Sequence, residues 1–229
     1  MTSQLVSTRC GLCFLSFLAA CGSIRAGAIT SYAGDATMIT FDDLVGGGAN
    51  LKGPSVTNQY AGLGVTFNNP SFPGEDTADT NLTYSIPNAS GPNALFVYQG
   101  GGQQGVAPFQ ILFSTPVDTV GFDWLSSFDS FLQLDAYNQQ GALIESATFV
   151  GSDTPQGLGG FAGLQESNAI ARLDVSYHPD FDPTRSYNFS IDNLSFTEAP
   201  EPSTMVMDGL GLLVAMLLRV RRPGSPKSK

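Results

Sequence analysis

The sequence predicts an all-β domain, a two-sheet β-sandwich of jelly-roll type. Three observations predict it. Short runs rich in Val, Phe, Leu and Thr alternate with clusters of Gly, Pro, Asn and Asp, the rhythm of strands and turns. Inside the runs large apolar residues fall on alternate positions, as in Val120-Gly121-Phe122-Asp123-Trp124, which buries one face and leaves Asp123 on the other. Before residue 204 no stretch holds a helical period for three turns. About ten strands of this length suit a sandwich.

The first element is not part of the domain. Residues 1–28 carry Arg9, an apolar stretch from Cys10 to Cys21 and the small-x-small pattern Ala26-Gly27-Ala28, the layout of an export signal. It implies passage through the Sec translocon and removal by signal peptidase after Ala28, leaving Ile29 as the mature start. A second reading stays open: Leu18-Ala19-Ala20-Cys21 matches a bacterial lipobox, in which Cys21 would be lipidated. All three cysteines (Cys10, Cys13, Cys21) lie in this segment, so the part after Ala28 has no disulfide, thiolate metal site or cysteine nucleophile.

Residues 29–199 form one domain, long enough for a sizeable core. The strand candidates in order are Met38–Leu44, Gly64–Phe67, Leu82–Ile86, Ala94–Tyr98, Phe109–Phe113, Thr119–Leu125, Phe131–Tyr137, Leu143–Val150, Gly160–Gln165, Ile170–Ser176 and Tyr187–Phe196. Gly46–Gly48, Gly100–Gly102 and Gly157–Gly160 read as loops. None has the strand-to-helix setting of a phosphate-binding loop. Of the chain's 20 acidic residues, all but Glu201 and Asp208 fall in this domain, against Lys52, Arg172 and Arg185 as its only bases. Such a balance argues against nucleic acid and anionic membrane as partners, and suits either a solvated extracellular surface or one that takes up cations.

The C-terminal segment, 200–229, is a second address. Pro200-Glu201-Pro202-Ser203-Thr204 precedes an apolar run, Met205 to Leu218, and the basic residues Arg219, Arg221 and Arg222. The prolines keep the motif extended and outside the following helix, open to a protease. The apolar run is shorter than the roughly 20 residues of a free-standing membrane helix. Asp208 lies near its entry end, where a carboxylate costs least.

That order of motif, apolar run, Arg cluster and chain end resembles the PEP-CTERM sorting signal of Gram-negative bacteria. The middle of the chain is similar to exported PEP-CTERM β-sandwich proteins in Ile39-Thr40-Phe41-Asp42-Asp43-Leu44, Tyr60–Phe67, Phe113–Val117 with Phe122-Asp123-Trp124, and Phe189–Phe196. The last of these also resembles a terminal strand common in carbohydrate-binding jelly rolls. The resemblance implies an exosortase-like membrane protease as partner and a transient inner-membrane anchor. It further implies a place in the cell envelope or an exopolysaccharide matrix, with carbohydrate binding as the expected activity. A structural or adhesive matrix role without glycan binding is the competing expectation.

Candidate chemistry centres on Asp42, Asp43 and Asp192. First and last strands of a jelly roll often pair, which would join the two acidic spots. Carboxylates with backbone carbonyls can supply the six to eight hard oxygens calcium takes. Phe189 and Ile191 share one parity and Leu194 and Phe196 the other, so a β-bulge at Asp192-Asn193 is expected. Surface or turn carboxylates are the alternative. Trp124, Tyr98, Tyr137 and Tyr177 could form a sugar-stacking platform, although the alternation of Trp124 with Val120 and Phe122 places it in the core. His178, in Tyr177-His178-Pro179-Asp180, reads as a loop residue. No catalytic residue is assigned. A serine triad would need His178 with no G-x-S-x-G elbow, and H-E-x-x-H is absent. A glycosidase carboxylate pair cannot be singled out among so many acids. The N-x-[ST] sequons at Asn81, Asn88, Asn188 and Asn193 carry no weight in a bacterial host.

Overall fold

The computed structural model describes residues 27–32, 36–44, 53–71, 73, 77–79, 86–101, 107–127, 131–154, 157–177 and 186–199. Residues 1–26 of the expected export signal, His178 and the whole of the expected sorting segment from Pro200 lie outside the described residues. No helix among the described residues is long and apolar enough to cross a membrane.

The domain is all β. Its strands are β1 (Gly27–Ile29), β2 (Thr37–Ile39), β3 (Val65–Asn68), β4 (Thr77–Asp79), β5 (Ala94–Gly101), β6 (Phe109–Ser127), β7 (Leu132–Tyr137), β8 (Leu143–Phe149), β9 (Ser152–Thr154), β10 (Gly157–Tyr177) and β11 (Ser186–Glu198). All described pairings are antiparallel, in the order β4-β5-β11-β6-β10-β7-β8. β1 and β9 join β10, β2 joins β11 and β3 joins β6.

Two pairs of expected strands are single long ones. Phe109–Phe113 and Thr119–Leu125 fuse into β6 through Pro116, and Gly160–Gln165 and Ile170–Ser176 fuse into β10. Between them the register jumps, with Ile170 opposite Val117 but Arg172 opposite Leu112. Pro116 sits in that jump. There its missing N–H costs no ladder bond, and its carbonyl still accepts from the Ala199 N–H at 3.0 Å. The jump lets each strand contribute to both halves of the hydrogen-bonded ladder.

The strand expected over Met38–Leu44 stops at Ile39. Phe41 has φ 60 and turns the chain, so Asp42 and Asp43 leave the ladder as a loop. Phe41 itself stays fully buried, edge-on to Tyr60 and tilted against Phe67. From there aromatic packing runs through Phe67 and Phe109 to Phe189. In β7, Leu132, Leu134 and Ala136 are buried while Gln133, Asp135 and Tyr137 alternate outward. Central strands depart from alternation: residues 121–126 of β6 are all buried. The expectation that Asp123 lies on an open face is therefore corrected. Its face is covered by Tyr32, whose ring packs edge-on against Phe161.

Candidate functional site

Two polar assemblies stand out, one inside the seam between the terminal strands and one on an open face.

The seam is built by β2 pairing with β11, Leu194 opposite Ile39, which places the acidic residues following β2 beside those of the last strand. The bulge expected at Asp192-Asn193 is present. The β11–β6 register shifts between Asp192 and Ser195, and Asn193 has φ 51. Asp42 and Asp192 come together at Ser90, whose hydroxyl lies 3.2 Å from an oxygen of each. Asp192 also accepts the backbone N–H of Ser90 at 2.8 Å and that of Asn193 at 2.7 Å. Asp42 accepts the Asn93 N–H at 3.1 Å. Gly91 lies so close to the Asp42 carboxylate that a Cβ there would collide with it. Asp43 is exposed and accepts the Tyr60 hydroxyl at 2.5 Å. On the far side Asp123 pairs in register with Asp192 and accepts from the Tyr32 hydroxyl and from Asn193 Nδ2.

Burial, opposed by hydrogen bonds from Ser90 and Asn193 and reinforced by Asp42, raises the Asp192 carboxyl above its ordinary range. Burial and the adjacent carboxylates Asp123 and Asp43 push the phenols of Tyr32 and Tyr60 up, which keeps both as donors. Sequence reading brought forward Asp42, Asp43 and Asp192 but not Asp123, Asn193, Ser90 or the two tyrosines. A carboxylate flanked by Phe122 and Trp124 was the available signal for Asp123.

The open face lies on β3, β6, β10, β7 and β8. One row across it reads Asn68, Gln110, Asp174, Asp135, Ser146, each opposite the next in register. Asn68 Nδ2 donates to Gln110 Oε1 at 2.8 Å, and Asp135 Oδ1 accepts from Ser146 Oγ at 2.6 Å and Gln133 Nε2 at 3.0 Å. Thr148 Oγ1 donates to Gln133 Oε1 at 2.6 Å. The neighbouring row reads Thr66, Leu112, Arg172, Tyr137, Leu143. The Arg172 guanidinium lies 4.0 Å above the Tyr137 ring and its Nε is 2.8 Å from Asp174. Burial raises the Asp174 carboxyl, with Arg172 pulling against it. Leu143, 54% exposed, extends the plate formed by Tyr137 and Arg172 outward.

Of the suggested aromatic platform, Trp124 is a fully buried core residue, as its alternation implied. Tyr98 is on β5, separated from Tyr137 on β7 by β11, β6 and β10 in the ladder. Tyr177 ends β10. Arg172 and Asp174 were not singled out from the sequence, although an Arg-x-Asp spacing on a strand puts both on one face.

No protein-family model matches the chain, and no curated protein matches it in sequence. Among solved structures, the cleaved adhesin domain of Lys-gingipain is similar at 11% identity, with a TM-score of 0.44 over 71% of this chain and 99% of that one. A mutant family 29 carbohydrate-binding module aligns at 14% identity and a TM-score of 0.38 over 72% and 94% of the two chains. Another mutant of that module, complexed with mannohexaose, aligns at 15% identity and a TM-score of 0.35 over 64% and 93%.

Proposed function

We propose that this is an exported, non-catalytic jelly-roll protein of the Gram-negative cell envelope or biofilm matrix, and that it binds exopolysaccharide through the open face of β3, β6, β10, β7 and β8. The sorting segment 200–229 supports the address, with an exosortase-like protease reading Pro200–Thr204 and the basic end at Arg219, Arg221 and Arg222 stopping transfer. The single observation that carries the binding reading is the pair of rows just described. A plate of Tyr137, Arg172 and Leu143 offers apolar and planar surface. Beside it a line of amides, carboxylates and hydroxyls can exchange hydrogen bonds with sugar hydroxyls. Directly opposed Asp135 and Asp174 make the face hostile to uronates and favour a neutral glycan.

The test is a glycan array and titration against the host's exopolysaccharide, using the exported protein. Saturable binding to one neutral class, weakened at least tenfold by Tyr137→Ala, is the expected result. Failure to bind any glycan would overturn it.

The carboxylate seam favours a second reading, a structural or adhesive matrix component that binds no glycan and is stabilised by calcium. Calcium-dependent self-association in the absence of glycan binding would select it. Release of reducing sugar would move the protein to the glycan hydrolases instead.

A further inference from the structure

On the open face, side-chain chemistry stays constant across the strands and changes along them. Crossing β6, β10, β7 and β8 at one level gives Leu112, Arg172, Tyr137 and Leu143, each opposite the next in register and each apolar or planar. Following β7 instead gives Tyr137, Asp135 and Gln133 on the same face, an aromatic ring, a carboxylate and an amide in succession. A regular polymer presents the same groups at every repeat. It meets the same chemistry at every repeat only when it is laid across these strands.

The spacing agrees. Neighbouring strands lie about 4.7–4.9 Å apart, so β3, β6, β10, β7 and β8 set side chains at even intervals over roughly 19 Å. A β-1,4-linked chain of glucose, mannose or xylose leaves each ring through equatorial bonds. It is an extended ribbon that advances by nearly one strand spacing per sugar. An α-1,4-linked chain of the same sugars coils and loses the match. The polar row through Gln110 and Asp135 lies two residues along the strand from the plate, roughly 6.6–6.8 Å. That places it under the edge hydroxyls of a ring whose flat face rests on Tyr137.

The rows also run out to the edges of the face. Among the described residues β3 pairs only with β6, and β8 only with β7. Asn68 is exposed at the β3 end and Leu143 at the β8 end. A glycan lying on the rows can therefore continue past both edges, which suits the middle of a chain better than its terminus.

We propose that the open face binds the interior of an extended, neutral β-1,4-linked glycan laid across the strands, one sugar to a strand, which rests on the glycan reading of that face. Tyr137 and Arg172 carry the central sugars, and Asn68 and Leu143 the outer ones.

The experiment titrates the full exported protein with β-1,4-linked glucose, mannose and xylose oligomers of two to six sugars. An α-1,4-linked glucose series and the host's exopolysaccharide are run alongside. Affinity for at least one β-1,4 series should rise about tenfold or more from two sugars to five and then level off, and the α-1,4 series should show no such rise. Leu143→Ser and Asn68→Ala should each cut that gain by about threefold, while Tyr137→Ala should weaken every length. Affinity that ignores chain length, or a matching rise in the α-1,4 series, would overturn the inference and leave the glycan reading standing. Binding of the exopolysaccharide with no β-1,4 oligomer bound would do the same. No binding to any glycan would remove both. The wild-type length series decides the matter without recourse to any variant.

Discussion

Asp123 and Asp192 lie directly opposite one another across the β6–β11 ladder, and neither has any exposed surface. Like charges so placed repel by a fraction of a kcal/mol to about 1 kcal/mol, more where solvent is excluded. Asp123→Asn keeps an acceptor for Tyr32 and Asn193 and puts an amide where Oδ1 now has no donor. In EDTA this variant is expected to match or exceed wild-type stability by up to about 1 kcal/mol. Under the calcium-stabilised reading it should fall below wild type in millimolar calcium. Paired denaturation curves check this, and an equal loss in both buffers would show that the repulsion argument is misplaced.

Arg172 joins the two rows of the open face, reaching Asp174 on its own strand and Tyr137 on the next. Removing it leaves the nearly buried Asp174 carboxylate without its cation. Arg172→Ala should cost about 1–3 kcal/mol, below the figure for a fully buried pair because the arginine is one-third exposed. Arg172→Lys keeps the charge but not the planar group over the tyrosine. It should retain most of the stability while weakening glycan binding about tenfold. Urea unfolding and glycan titration of the two variants separate these effects.

Asp174 also predicts how stability changes with pH. Its folded carboxyl is raised, chiefly by burial, while the unfolded group titrates near pH 4. Ionising it therefore costs the folded state more than the unfolded one. The associated stability is fully present below about pH 4 and is lost as pH rises through the folded value. Asp118, raised by burial, has the same sign. In EDTA, Tm should accordingly increase as pH is lowered from neutral toward the carboxylate range, and Asp174→Asn should flatten that slope. A wild-type Tm that falls steadily over the same interval would contradict the assignment.

Sequence periodicity revealed most of the strands because half-buried strands advertise themselves. Leu132, Leu134 and Ala136 alternate with Gln133, Asp135 and Tyr137, and Val65 and Phe67 with Thr66 and Asn68. Alternation fails where both faces are covered, and there Asp123 looked solvated. The two halves of β6 read as separate strands because the jump that accommodates Pro116, residues 113–116 against Ala171 alone, shows only once β6 is paired with β10. Asp42 and Asp192 could be brought together on paper because terminal strands often pair. Ser90 could not, since its position depends on a loop that no pattern marks. The open face was half legible: Tyr137 stood out by type, but its link to Arg172 needs the β7–β10 register.

The proposed sorting role of residues 200–229 makes a prediction that depends on chemistry outside the described domain. Under the proposed sorting role, Pro200 and Pro202 would keep the motif extended for a protease, and replacing Pro200–Pro202 with Ala-Ala-Ala would remove that constraint. The variant is expected to lose surface retention or processing while its domain keeps the wild-type Tm. Cell fractionation with intact-mass measurement checks both halves, and unchanged fractionation would remove the sorting role from this motif.

Trp124 tests the core itself. It is fully buried, its Nε1 has no partner among the described residues, and a Cβ added at Gly151 or Gly159 would press on it. Trp124→Ala removes the largest side chain of the core and should cost about 3–5 kcal/mol. Trp124→Phe loses volume too, but it also deletes an N–H that burial has stripped of water without replacing the bond. The two terms oppose each other, so the phenylalanine variant should lose no more than about half as much. Equal destabilisation by the two substitutions would mean that the indole N–H is satisfied in solution, most simply by a buried water.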